Sequence, residues 1–160
     1  MSEKRLSIIN KKEITGWEIW WQVEFATYLS TKDETISEWY REEKYRTDKR
    51  VSSQTEMAID FLIRQKYAKK NSFIALELKQ HIHAVSCIRN MLKDVDKVFS
   101  MRQSESDIRS FWNIGVYKEP MSNNGEAEKN KILEYENLST SEEFIKIQEI
   151  GDTGFYYIIF

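Results

Sequence analysis

The chain has 160 residues, of which 41% are hydrophobic and 13% aromatic, which marks a folded globule with a real core rather than a disordered chain. Its formal net charge of −2 argues against a protein that coats nucleic acid indiscriminately. No apolar run reaches the ~18 residues of a membrane span, and the polar start lacks the apolar core of a signal peptide. Cys87 is the single cysteine, so no internal disulfide can form and a reducing, cytoplasmic setting is expected. Set among Ala84, Val85 and Ile88, it reads as a small core residue. Zinc-like Cys/His spacing, a P-loop and a nucleotide-binding glycine motif are all missing from the sequence.

In chain order, residues 2–15 read as a loose lead-in. A helix follows over 16–30, where Trp17, Trp20, Trp21, Phe25 and Tyr28 recur at helical spacing and form an aromatic face. Glu24 falls within that face, and an acid on a buried stripe needs an explanation. It either reaches a functional pocket or satisfies an indole N–H or a core arginine; Glu18, on the edge of the face, is the weaker candidate. Residues 35–46 alternate roughly and read as a twisted, partly exposed strand. The turn-rich stretch 47–55 leads into two apolar strands, 57–63 and 73–78. Between them lies a connector with Arg64, Lys66, Lys69 and Lys70 and no acid, which is either a phosphate-contacting surface or a solvated hairpin tip. A second helix over 81–101 carries the best amphipathic pattern, with Ala84, Val85, Ile88, Met91, Leu92, Val95 and Phe99 on one side. His81 and His83 open it and are read as decorating its first turn.

A charged linker, 102–109, precedes another apolar strand, 111–117. Residues 120–129 contain the only proline and read as a loop. Residues 141–147 suit a short helix or strand, 151–154 (GDTG) a hairpin turn, and 155–160 a final strand that must be covered or paired. Charge is uneven along the chain. Residues 1–118 carry 21 basic and 17 acidic side chains, whereas residues 119–160 carry 3 and 9.

The chemistry concentrates on the two central strands. Alternation puts Phe73, Ala75, Glu77 and Lys79 on one face, so a carboxylate and an ammonium emerge together from an otherwise apolar strand. Asp60, in the middle of the preceding strand, can face them. Charges on apolar strands require partners. Two carboxylates from neighbouring strands, with the backbone carbonyl between Glu77 and Lys79, form the hard oxygen set that Mg²⁺ prefers. The alternative is a buried ion pair of Lys79 with Glu77 or Asp60.

Asp60 followed by Glu77-Leu78-Lys79 resembles the signature of the PD-(D/E)xK nuclease superfamily. The proline that precedes the first acid in that pattern is replaced here by Ile59. The order helix, strand, strand, strand, helix, strand is also similar to the core order of that fold and extends the resemblance from about residue 17 to 118. The resemblance implies a single α/β domain with a mixed sheet flanked by helices, its core over 16–118 and an acidic extension over 119–160. It further implies a Mg²⁺- or Mn²⁺-dependent endonuclease acting on DNA, with Asp60 and Glu77 as metal ligands and Lys79 as the catalytic lysine. Glu24 would be the additional acid supplied by the helix. Gln80, Lys66, Lys69 and Lys70 are the candidate substrate contacts. A reading of a different class is a nuclease-like fold retired from catalysis that binds a protein through its acidic segment, as antitoxin or immunity-type proteins do. A second copy of the chain is a further candidate partner.

Overall fold

The computed structural model describes residues 2–32, 34–46, 56–102, 107–118 and 125–160. The chain order is α1 (Glu3–Lys11), α2 (Glu18–Ser30), β1 (Ile36–Arg46), β2 (Glu56–Gln65), β3 (Phe73–His81), α3 (Ala84–Arg102), β4 (Ile108–Tyr117), α4 (Glu126–Leu133), β5 (Lys146–Glu149) and β6 (Tyr156–Ile159). The strands form one sheet in the order β1-β2-β3-β4-β6-β5. Only β3 and β4 run parallel; the other neighbours are antiparallel. A parallel pair needs a long crossover, and α3 supplies it. The result is a single α/β domain with a mixed six-stranded sheet covered on both faces. Among the described residues no helix is long and apolar enough to cross a membrane.

Each face has its own core. Leu76, Leu78, Phe61 and Val116 pack against Leu6, Ile9, Trp17, Trp21 and Leu29 of the α1–α2 side. Cys87, Ile88, Met91, Leu92 and Val95 of α3 pack with Tyr117, Ile132 of α4 and Ile158. Close approach of α3 to β4 depends on Gly115: a Cβ there would lie 2.5 Å from Met91 Sδ and 2.8 Å from Cys87 Sγ. Cys87 is sealed in this layer, and burial pushes its thiol up to about 12, so it stays protonated and inert.

Two expectations are corrected. Residues 2–15 are not a loose lead-in, because α1 buries Leu6 and Ile9. At ~1.5–3 kcal/mol for each buried side chain, this docking orders a helix too short to persist alone. Residues 120–129 are not wholly a loop: Gly125, at φ +77°, leads directly into α4, which has acids in its first turn and Ile132 buried against α3's core. The stretch 141–147 holds both elements that it suits, a 3₁₀ turn (Glu142–Phe144) and then β5. Residues 151–154 form the β5–β6 turn, with Gly151 and Gly154 at positive φ. The final strand pairs with β4 and β5, so the acidic C-terminal segment completes the sheet. The stretch 47–55 and most of the linker after α3 lie outside the described residues.

Candidate functional site

The central strands part where the charges sit. The ladder between β2 and β3 comprises Phe61–Leu76, Leu62–Ala75 and Ile63–Ile74 among the described residues. Beyond Leu76 the β2 side of β3 is taken over by side-chain carboxylates. Leu78 N–H donates to Asp60 Oδ2 at 2.9 Å, and Gln80 N–H donates to Glu18 Oε2 at 2.7 Å. The N–H and C=O of one strand residue point to the same edge, so the Leu78 carbonyl opens into the fork beside Asp60. The other side of β2 is distorted at the same level. Pairing with β1 skips from Arg41–Phe61 to Glu43–Ile59, and Glu42, opposite Asp60, stands at φ +54°.

As alternation requires, Glu77 and Lys79 leave β3 on the face covered by α3. Glu77 is 1% exposed. Lys97 Nζ contacts Glu77 Oε1 directly, while Lys79 Nζ lies 3.5 Å from Glu77 Oε2 and 3.0 Å from Asp94 Oδ2. Lys97 Nζ is also 3.6 Å from Asp94 Oδ1. Glu77 Oε2 is buried without an aligned hydrogen bond, which leaves acceptor capacity on it, whereas Asp94 Oδ2 is taken by the Lys79 ammonium.

Four carboxylates (Glu18, Asp60, Glu77 and Asp94) thus share this region with two ammonium groups (Lys79 and Lys97), and full ionisation would leave two negative charges uncompensated. Burial, with the Asp60 and Asp94 charges adding to it and the two lysines opposing it, pushes the Glu77 carboxyl up to about 8. Glu18 is raised for the same first reason, burial, against the lowering effect of its Gln80 hydrogen bond and Lys79. Burial pulls Lys79 down, but Asp94 and Glu77 outweigh it and hold the ammonium above its ordinary range. Lys79 is therefore a fixed positive charge and not a base.

Of the sequence candidates, Asp60, Glu77 and Lys79 come together. Glu24 does not join them: it pairs with Arg5 of α1, whose guanidinium also lies 5.3 Å from the Trp20 ring centroid. The buried stripe of α2 includes Trp21, Gln22 and Leu29, leaving Trp20 and Tyr28 exposed, and the α2 acid that reaches β3 is Glu18. Gln80 contributes its backbone N–H to the site, and the residue also lines a cavity of about 320 Å³ with Asn10, Trp17, Lys118 and Phe155. Lys66, Lys69 and Lys70 are exposed on the β2–β3 hairpin tip. The strand from Phe73 to Glu77, roughly 13 Å at ~3.3 Å per residue, separates that tip from the fork. His81 accepts the His83 N–H at Nδ1, a local turn contact at the mouth of α3.

Asp94 and Lys97 are new. The signal was present, since Asp94 falls on the apolar stripe Met91, Val95, Val98, where an acid is as unexpected as Glu24 on α2.

The residues present fit a divalent cation by donor chemistry. Asp60, Glu77 and the Leu78 carbonyl are hard oxygens, Glu77 Oε2 has an unused acceptor position, and the missing charge equals two. Among the described residues no cluster of three His, Cys, Asp or Glu side chains is poised on one ion. A two-carboxylate site completed by a carbonyl and water is nevertheless an ordinary arrangement for Mg²⁺. No family model matches this chain, and neither the curated proteins nor the solved structures contain a match.

Proposed function

We propose that this chain is a divalent-cation-dependent nuclease of the PD-(D/E)xK kind, hydrolysing phosphodiester bonds in DNA. One observation carries the reading: Asp60, Glu77 and Lys79 converge where β2 separates from β3, with the sheet distorted on both sides of Asp60. Strain and broken pairing at a charged, half-buried position are features that cluster at functional sites. Asp60, Glu77 and the Leu78 carbonyl would hold Mg²⁺ or Mn²⁺, and the bound ion would supply Lewis-acid polarisation of the phosphodiester.

The chain's own groups do the rest. Lys79, held ionised by Asp94 and Glu77, presents a positive charge to the charge that develops on phosphorus-bound oxygens. Asp94 orients Lys79 from α3. Glu18 fixes the end of β3 through the Gln80 amide and takes the place expected for Glu24. Lys66, Lys69 and Lys70 lie too far along the hairpin to touch the reacting phosphate and would contact the DNA backbone at a distance.

The deciding experiment is cleavage of single-stranded, double-stranded and supercoiled DNA with Mg²⁺ or Mn²⁺. Chelator-sensitive cleavage that Glu77→Gln and Lys79→Ala abolish supports the reading, and silence on all three substrates overturns it. Lys97 favours a second reading, because its ammonium already neutralises Glu77. In that case the fold is retired from catalysis and binds a basic protein through the acidic segment 119–160. Charge reversal at Glu142 and Glu143 would then weaken a protein complex, while Glu77→Gln would leave it intact.

A further inference from the structure

Lys97 stands where the nuclease reading has no use for a charge. It reaches from the middle of α3 across to β3, and its ammonium contacts Glu77 Oε1, on one of the two carboxylates that would hold the cation. Glu77 Oε2 is open to a cation, but two positive centres crowded onto one buried carboxylate repel strongly. Lys97 also has a second anion within reach. Asp94, one turn earlier on the same helix, lies 3.6 Å away through Oδ1, while its Oδ2 is held by Lys79 at 3.0 Å. The same ammonium thus lies within ion-pair range of both carboxylates.

We propose that Lys97 is the internal counter-ion of the Glu77 carboxylate, and that a divalent ion binds there by displacing it onto Asp94. This inference rests on the nuclease reading and specifies what sets the metal affinity of that site. Asp94 then has two tasks: it orients Lys79 and receives Lys97. The site carries a compensating charge in either state, so the buried Glu77 carboxylate is never left alone.

The test is Mn²⁺ binding by the purified full chain, measured by titration calorimetry and by the loss of the free-ion electron-spin signal, with no DNA present. Lys97→Met keeps most of the side chain's length and removes its charge; it is expected to tighten Mn²⁺ binding by about tenfold or more. Lys97→Arg keeps the charge and grips a carboxylate with two N–H groups, so it is expected to weaken binding below the wild type. Tighter binding in the first variant and weaker binding in the second establish the displacement. Wild-type binding that Lys97→Met leaves unchanged or weakens overturns this inference and spares the nuclease reading. If neither protein binds Mn²⁺, both fail together. Should Lys97→Met fail to fold, as far-UV circular dichroism would show, the arginine variant decides alone: equal or tighter binding overturns the proposal.

Discussion

Glu77→Gln should separate stability from function in a pH-dependent way. Glu77 is buried, and its carboxyl is raised from 4.5 to about 8. A group whose folded value lies above its unfolded value contributes stability that is fully present below the unfolded value. That contribution is lost as pH rises through the folded value. The window here is pH 4.5 to about 8. Across it, at 1.36 kcal/mol per pH unit, the ceiling on the loss is ~5 kcal/mol. Relaxation and water penetration around buried charges bring the expected loss to about 2–3 kcal/mol. Glutamine mimics the neutral acid and still offers an oxygen to Lys97, so at pH 5 the variant should match the wild type within ~1 kcal/mol. At pH 8.5 it should be the more stable protein by about 2–3 kcal/mol, or roughly 4–12 °C in Tm for a chain of this size. Urea and thermal unfolding in chelator, followed by circular dichroism at half-unit pH steps, measures the gap. Two curves that run parallel from pH 5 to 8.5 would mean that burial of the Glu77 charge costs the fold nothing, as would a variant that is less stable at the alkaline end.

Divalent cation should restore what alkaline pH removes, so the Tm gain on adding Mn²⁺ should be larger at pH 8 than at pH 6, and Asp60→Asn should reduce that gain at both. Glu18→Gln should lower cleavage by at least about tenfold, whereas Glu24→Gln should leave cleavage within twofold and cost at most ~1 kcal/mol through the exposed Arg5 pair. Paired kinetic and unfolding measurements on the two variants check this. Gly115→Ala should cost about 1–3 kcal/mol in unfolding experiments, because its methyl group would press on Met91 and Cys87 between α3 and β4.

The strongly periodic elements were legible in the sequence. Period-two alternation places Glu77 and Lys79 on one face of β3 and Leu76 and Leu78 on the other, and the structure keeps them there. Periodicity on α2 is a poorer guide, because five aromatics cover more of the helix than the sheet can bury. Trp17, Trp21 and Leu29 turn inward, Trp20 and Tyr28 remain exposed, and Glu24 moves to the side where Arg5 of α1 meets it. That partner belongs to a helix whose order depends on docking Leu6 and Ile9, a tertiary effect that a local pattern does not carry. Gln22 held the clue to Glu18: a polar residue buried one turn on marks the stripe that also carries Glu18 toward β3. Asp94 and Lys97 were visible as charges on α3, but only the crossover of α3 onto β3 shows which charges they meet.

The nuclease reading stands on a divalent cation held in the fork between β2 and β3. Anomalous scattering from crystals grown with Mn²⁺ tests it directly. A peak is expected within about 2.5 Å of oxygens from both Asp60 and Glu77, with the Leu78 carbonyl alongside and Lys97 turned toward Asp94. A fork without a peak at saturating Mn²⁺, with Lys97 still seated on Glu77, would contradict it.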